Sequence, residues 1–147
     1  MQLLFTLIFA VVGFPALAQT VENCDWQALA PNLVEPWEAN TKTYANGDVR
    51  LALLDTVEPA AGSYHLLVLS PPYGELGDRQ CRTIGISQGV GFSGVDFGSL
   101  QSGYDPAVGL IFDMDVQRFD PNQDDFVPIH LRFNLNQATG DIGAVLE

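Results

Sequence analysis

The chain has 147 residues and is 47% hydrophobic, with 18 acidic against 6 basic side chains and a formal charge of −12. Charge of that sign repels nucleic acid and anionic lipid and steers towards cationic partners, which sets nucleic-acid binding aside. Cysteine and histidine each occur only twice, too sparse and too dispersed to make a zinc set by spacing.

Met1 to Ala18 reads as an export signal. An apolar run from Leu3 to Val12 is followed by Gly13 and Pro15, then by small residues at Ala16-Leu17-Ala18 where a signal peptidase cuts. The run is short for a membrane span, although no Lys or Arg precedes it. The expected organisation is therefore a signal peptide over 1–18 and a single exported β-domain over 19–147. That domain would be periplasmic or secreted, without membrane insertion after cleavage. A chain of this length can bury a real core. In an oxidising compartment Cys24 and Cys81 are expected to form a disulfide that ties the N-terminal segment to a strand in mid-chain.

Val21 to Asn40 is the one helical region, since Trp26, Leu29, Leu33 and Trp37 recur at helical spacing behind a possible Asp25 cap. Pro31 and Pro36 limit it to one or two short turns, with both tryptophans read as a lid packed over a sheet. Thr41 to Thr56 reads as a hairpin about Asn46-Gly47, residues that tolerate positive φ. Leu51–Leu54 and Leu66–Leu69 are continuous apolar runs, which predicts strands buried on both faces. Pro71 to Gln80 reads as a ten-residue loop presenting Tyr73. Cys81 to Ile86 is a strand, and the glycines from Gly85 to Gly109 predict bulges and bends.

Leu110 to Leu135 is the clearest element. Apolar residues alternate on both sides of Asp120-Pro-Asn-Gln-Asp-Asp125, which predicts two strands and a polar turn. Pairing Phe119 with Phe126 sets Val116 against Ile129, Met114 against Leu131 and Phe112 against Phe133 on one face. The other face then opposes Asp115 to His130 and Asp113 to Arg132, structural cross-strand pairs of opposite charge. A slip of one residue would put every side chain on the wrong face. Thr139-Gly140-Asp141 predicts a last hairpin turn and a short final strand.

The motifs that could carry chemistry are thin. Gly89-Val-Gly91-Phe-Ser-Gly94 matches a dinucleotide fingerprint, but no helix opens after it, so no cofactor is expected. Asp120, Asn122 and Asp124 have the alternation of a weak calcium loop without its glycine or its bidentate Glu. His65 falls in a buried strand and is expected to be a hydrogen-bonded core histidine, with Ser63 and Ser70 nearby in sequence but no nucleophile turn. Asp113 and Asp115 could serve glycoside hydrolysis, yet opposed cations would keep both ionised where a general acid must be neutral. In Ser102-Gly103-Tyr104-Asp105, the triplet Ser102-Gly103-Tyr104 resembles the short exposed loops that lysozyme inhibitors insert into a cationic active site, a resemblance of three residues that assigns no family.

The sequence thus predicts an all-β domain, a single antiparallel meander of about seven strands forming a sandwich or partial barrel, with a short N-terminal helical segment. Its function reads as binding or interaction without catalytic activity, a cationic protein being the partner that charge favours. Tyr73, Tyr104 and the turn Asp120, Asn122, Asp124, Asp125 are its candidate surface. The alternatives are an inhibitor of a cationic envelope-active enzyme such as lysozyme, or a hydrolase of cell-wall carbohydrate.

Overall fold

The ribbon over 110–135 forms in the register its alternation demands. In the computed structural model, which describes residues 20–147, β7 (Gly109–Asp120) and β8 (Asp125–Leu135) pair without interruption from Leu110↔Leu135 to Asp120↔Asp125. Phe112, Met114, Val116, Leu131, Phe133 and Leu135 are all buried, and Phe112 stacks on Phe133 with ring centroids 4.7 Å apart. β6 (Gly94–Asp105) and β9 (Ile142–Leu146) flank this ribbon and complete a four-stranded antiparallel sheet in the order β6-β7-β8-β9.

A second antiparallel sheet packs against it. Its strands are β1 (Thr20–Asn23), β2 (Thr41–Tyr44), β3 (Val49–Asp55), β4 (Tyr64–Tyr73) and β5 (Arg79–Gly85), in the order β1-β5-β4-β3-β2. The molecule is an all-β sandwich of two sheets with no closed barrel. Leu51, Leu53, Leu66, Val68 and Ile84 face the aromatic stack and form the main core with it.

The continuous apolar runs of β3 and β4 are buried on both faces, as the sequence predicts. Ala52, Leu54 and Leu67 point away from the other sheet and are covered by Ala28, Leu33 and the half-cystines. Short 3-10 turns at Trp26–Ala28 and Ala30–Asn32, then α1 (Trp37–Asn40), make this lid, as the two prolines require. The disulfide joins Cys24 to Cys81 with Cα atoms 5.4 Å apart and fastens the lid to β5.

Several expectations need correction. Nine strands are present among the described residues rather than about seven; one of them, β1 (Thr20–Asn23), overlaps the start of the stretch read as helical. Asp25 precedes the first 3-10 turn, but its side chain accepts no capping hydrogen bond. The tryptophans are half-exposed, and Gln27, Ala28 and Leu33 seal the sheet instead, because short turns spaced by proline cannot hold one continuous apolar stripe. The ten-residue loop is shorter: β4 runs on through Pro71 to Tyr73, leaving a turn over 74–78. A register irregularity between Ser70 and Tyr73 accommodates the two prolines there. Ser102–Tyr104 is not a loop but part of β6; the turn lies just beyond, where Asp105 Oδ1 accepts from Ala107 N at 2.7 Å and Gly109 takes φ +94°. The predicted signal over 1–18 lies outside the described residues.

Candidate functional site

The outer face of the four-stranded sheet carries the ionisable groups that the register brings together. His130 Nδ1 meets Asp115 Oδ1 at 3.0 Å, and its Nε2 meets Asp113 Oδ1 at 3.2 Å. Arg132 Nε donates to the same Asp113 oxygen at 2.7 Å, and its Nη1 lies 3.7 Å from Glu147 Oε1 on the end of the chain. The hydrogen bond to Asp115 raises the His130 pKa above its ordinary value, aided by Asp113 and opposed by partial desolvation. Asp113 also holds the Arg132 guanidinium charged. The sequence reading foresaw two separate pairs; the structure joins them, because the imidazole is wide enough to reach both carboxylates two positions apart on β7. On this open pleated surface two bases only partly offset three carboxylates.

His65 occupies the opposite situation. It lies on β4 beneath the lid, fully buried, with Trp26 edge-on at 6.2 Å between ring centroids. The expected hydrogen bond is missing: neither ring nitrogen has a partner, and Thr83 Oγ1 and Gln27 Oε1 are also buried without one. Burial lowers the His65 pKa, and the Glu22 carboxylate only partly offsets this. Ser63 and Ser70 are buried but make no hydrogen bond to His65; Ser70 Oγ instead accepts from Gln80 Nε2 at 3.4 Å. No nucleophile–base pair is assembled here.

The three candidate contact regions do not form one surface. The Tyr73 hydroxyl donates to Asp48 Oδ1 at 2.7 Å and so braces the β2–β3 turn. Tyr104, exposed on β6, pairs with Leu110, whereas the acidic turn sits ten ladder positions along β7. At roughly 3.3 Å per residue that places the two about 33 Å apart, at opposite ends of the sandwich. The acidic turn is a compact tip. Asp120 Oδ1 accepts from Asn122 N at 2.9 Å and its Oδ2 from Gln123 Nε2 at 2.8 Å, while Asp125 Oδ1 accepts from Phe126 N at 2.7 Å. The Gln123 and Asn122 donors hold the Asp120 pKa below its ordinary value. Asp120 therefore spends both oxygens on the turn rather than aiming them at a common point with Asn122 and Asp124.

Flanking this tip, Phe119 and Phe126 are exposed and meet edge to face at 5.7 Å between centroids. One residue beside it escaped the sequence reading. Arg118 follows Phe112, Met114 and Val116 on the inward side of β7, and the same alternation that assigned those three would have placed an arginine between the sheets. Among the described residues no helix is long and apolar enough to cross a membrane. No protein-family model, curated protein or solved structure matches the chain.

Proposed function

We propose that the chain is an exported, non-catalytic binding domain whose acidic β7–β8 tip engages a basic protein partner. The observation that carries this reading is the uncompensated charge. Among the described residues only Asp113, Asp115 and Glu147 of the acidic side chains stand in ion pairs, and the tip gathers Asp120, Asp124 and Asp125 between two exposed phenylalanines. Carboxylates around an aromatic pair offer a basic surface both steering and an apolar anchor. Export is supported by the disulfide and by the order of residues in 1–18.

The test is affinity capture from envelope extract with the exported chain as bait, at low and high salt. A basic protein should be retained at low salt and lost when Asp120, Asp124 and Asp125 are replaced together by Asn. Capture that is indifferent to these three changes would refute the tip. Lysozyme, as one cationic enzyme, can be assayed in parallel: inhibition lost in the same variant identifies the domain as an inhibitor, and unaffected lysozyme removes that version.

A further inference from the structure

A cleft of 580 Å³ lies between the 56–63 connection, the 86–93 connection and the base of the β7–β8 hairpin. Its walls are largely apolar, formed by Ala61, Ile86, Val90, Phe119 and Leu146, and Arg118 lines it with them. The floor is held close by backbone: Gly91 N donates to Gly62 O at 2.7 Å, and Phe92 N to Tyr64 O at 2.6 Å. A volume of this size suits a small molecule, and an apolar cavity with a few polar groups is the usual form of such a site.

Arg118 is the unusual member. Its Nε is buried and has no hydrogen-bond partner, although the chain is rich in carboxylates. The other partly buried bases are satisfied: Lys42 Nζ donates to Leu100 O, Arg79 to Gly47 O and Arg82 to Cys81 O. The nearest acid along β7, Asp120, feels the Arg118 charge at a distance but gives its oxygens to Asn122 and Gln123, so no ion pair with Arg118 forms. A buried donor without an acceptor is costly to leave unmade, and a guanidinium is shaped to receive a carboxylate.

We propose that this cleft binds a small amphiphile with a single carboxylate head, its head on Arg118 and its body against Ile86, Val90, Phe119 and Leu146. The charge of −12 selects against nucleotides and other polyanions, while one carboxylate is offset by one guanidinium. The cleft shares Phe119 with the tip but uses none of its carboxylates, and it needs no protein partner.

The probe is sodium decanoate below its micelle concentration, titrated calorimetrically into the exported chain, with 1-decanol and decyltrimethylammonium as head-group controls. Decanoate should bind at one site per chain, at least about tenfold more tightly than decanol, with the ammonium weakest. Arg118→Met keeps the aliphatic stem and should bring decanoate down to the level of decanol, and Arg118→Lys should recover part of the difference. The triple Asn variant of the tip should retain decanoate binding, so failure of the tip and failure of the cleft are told apart. Equal affinity for decanoate and decanol in the unmodified chain overturns the proposal even if the Met variant does not fold. Unchanged decanoate binding by a folded Arg118→Met overturns it too. So do absence of binding at millimolar decanoate, partition of the chain onto anionic vesicles in its place, or self-association that fills the cleft with a second copy.

Discussion

His130 Nδ1 lies 3.0 Å from Asp115 Oδ1, across a ladder position where the two residues are directly opposed. The contact, reinforced by Asp113 on the other ring nitrogen, raises the imidazole pKa. A raised folded value contributes stability that is fully present below the unfolded pKa, about 6.5, and is lost as pH climbs through the folded value. Titration of the His130 ring by NMR should place its midpoint above that of a free histidine. Asp115→Asn should lower it, and added salt should lower it in the unmodified chain because the site is open to solvent. A midpoint unmoved by Asp115→Asn would contradict the pairing.

His65 should have the opposite sign. Its pKa is lowered chiefly by burial, so the stability held by the neutral ring is complete above about pH 6.5 and declines as pH falls below it. His65→Leu removes both unpaired nitrogens from an apolar site. The melting temperature of that variant relative to the unmodified chain should therefore rise as pH is lowered from 8 to 5. A difference independent of pH would mean that His65 is not buried neutral.

The Cys24–Cys81 bond closes a loop with a sequence separation of 57. In the chain-entropy account a loop of that size is worth about 4 kcal/mol. Replacing both cysteines by serine should cost that order of stability in urea unfolding. It should also loosen the lid, shifting the emission of Trp26, which packs against His65, to longer wavelength. Stability lost without a fluorescence change would show that the lid is held by packing alone.

Phe133 stacks on Phe112 at the centre of the sandwich and is buried. Phe133→Ala should cost about 3–5 kcal/mol through lost burial and the cavity left behind. Phe126→Ala, on the same strand but exposed at the tip, should change stability far less. Chemical unfolding of the two side by side checks the inward and outward assignment of β8.

How much of this was legible in the sequence depended on how many residues voted together. The β7–β8 register was readable because a long alternation of apolar and polar residues tolerates one pairing only, and Asp113, Asp115, His130 and Arg132 followed from it. β1 was not readable, since Thr20 to Asn23 is short, polar and paired only with distant β5. The end of β4 was hidden by Pro71 and Pro72, which break a strand pattern unless an irregular edge absorbs them. The lid was located but its sealing residues were misassigned, as large aromatic rings at helical spacing outweigh a glutamine until the turns are known to be 3-10. Arg118 was legible too, since it falls on the inward positions of the same alternation as Phe112, Met114 and Val116.

The two sheets divide the described chain cleanly, β1 to β5 in one and β6 to β9 in the other, with only the 86–93 connection joining them. The disulfide lies wholly within the first half. Each half is thus a complete layer with one wet side and one greasy side, and neither borrows a strand from its mate. A nick in that joint would leave two fragments held together by the shared core and by a few hydrogen bonds, such as Lys42 Nζ to Leu100 O and Gln80 Nε2 to Gly140 O. Produced apart, the same fragments should recognise one another and rebuild the whole, so the molecule is already laid out as a two-piece complementation pair.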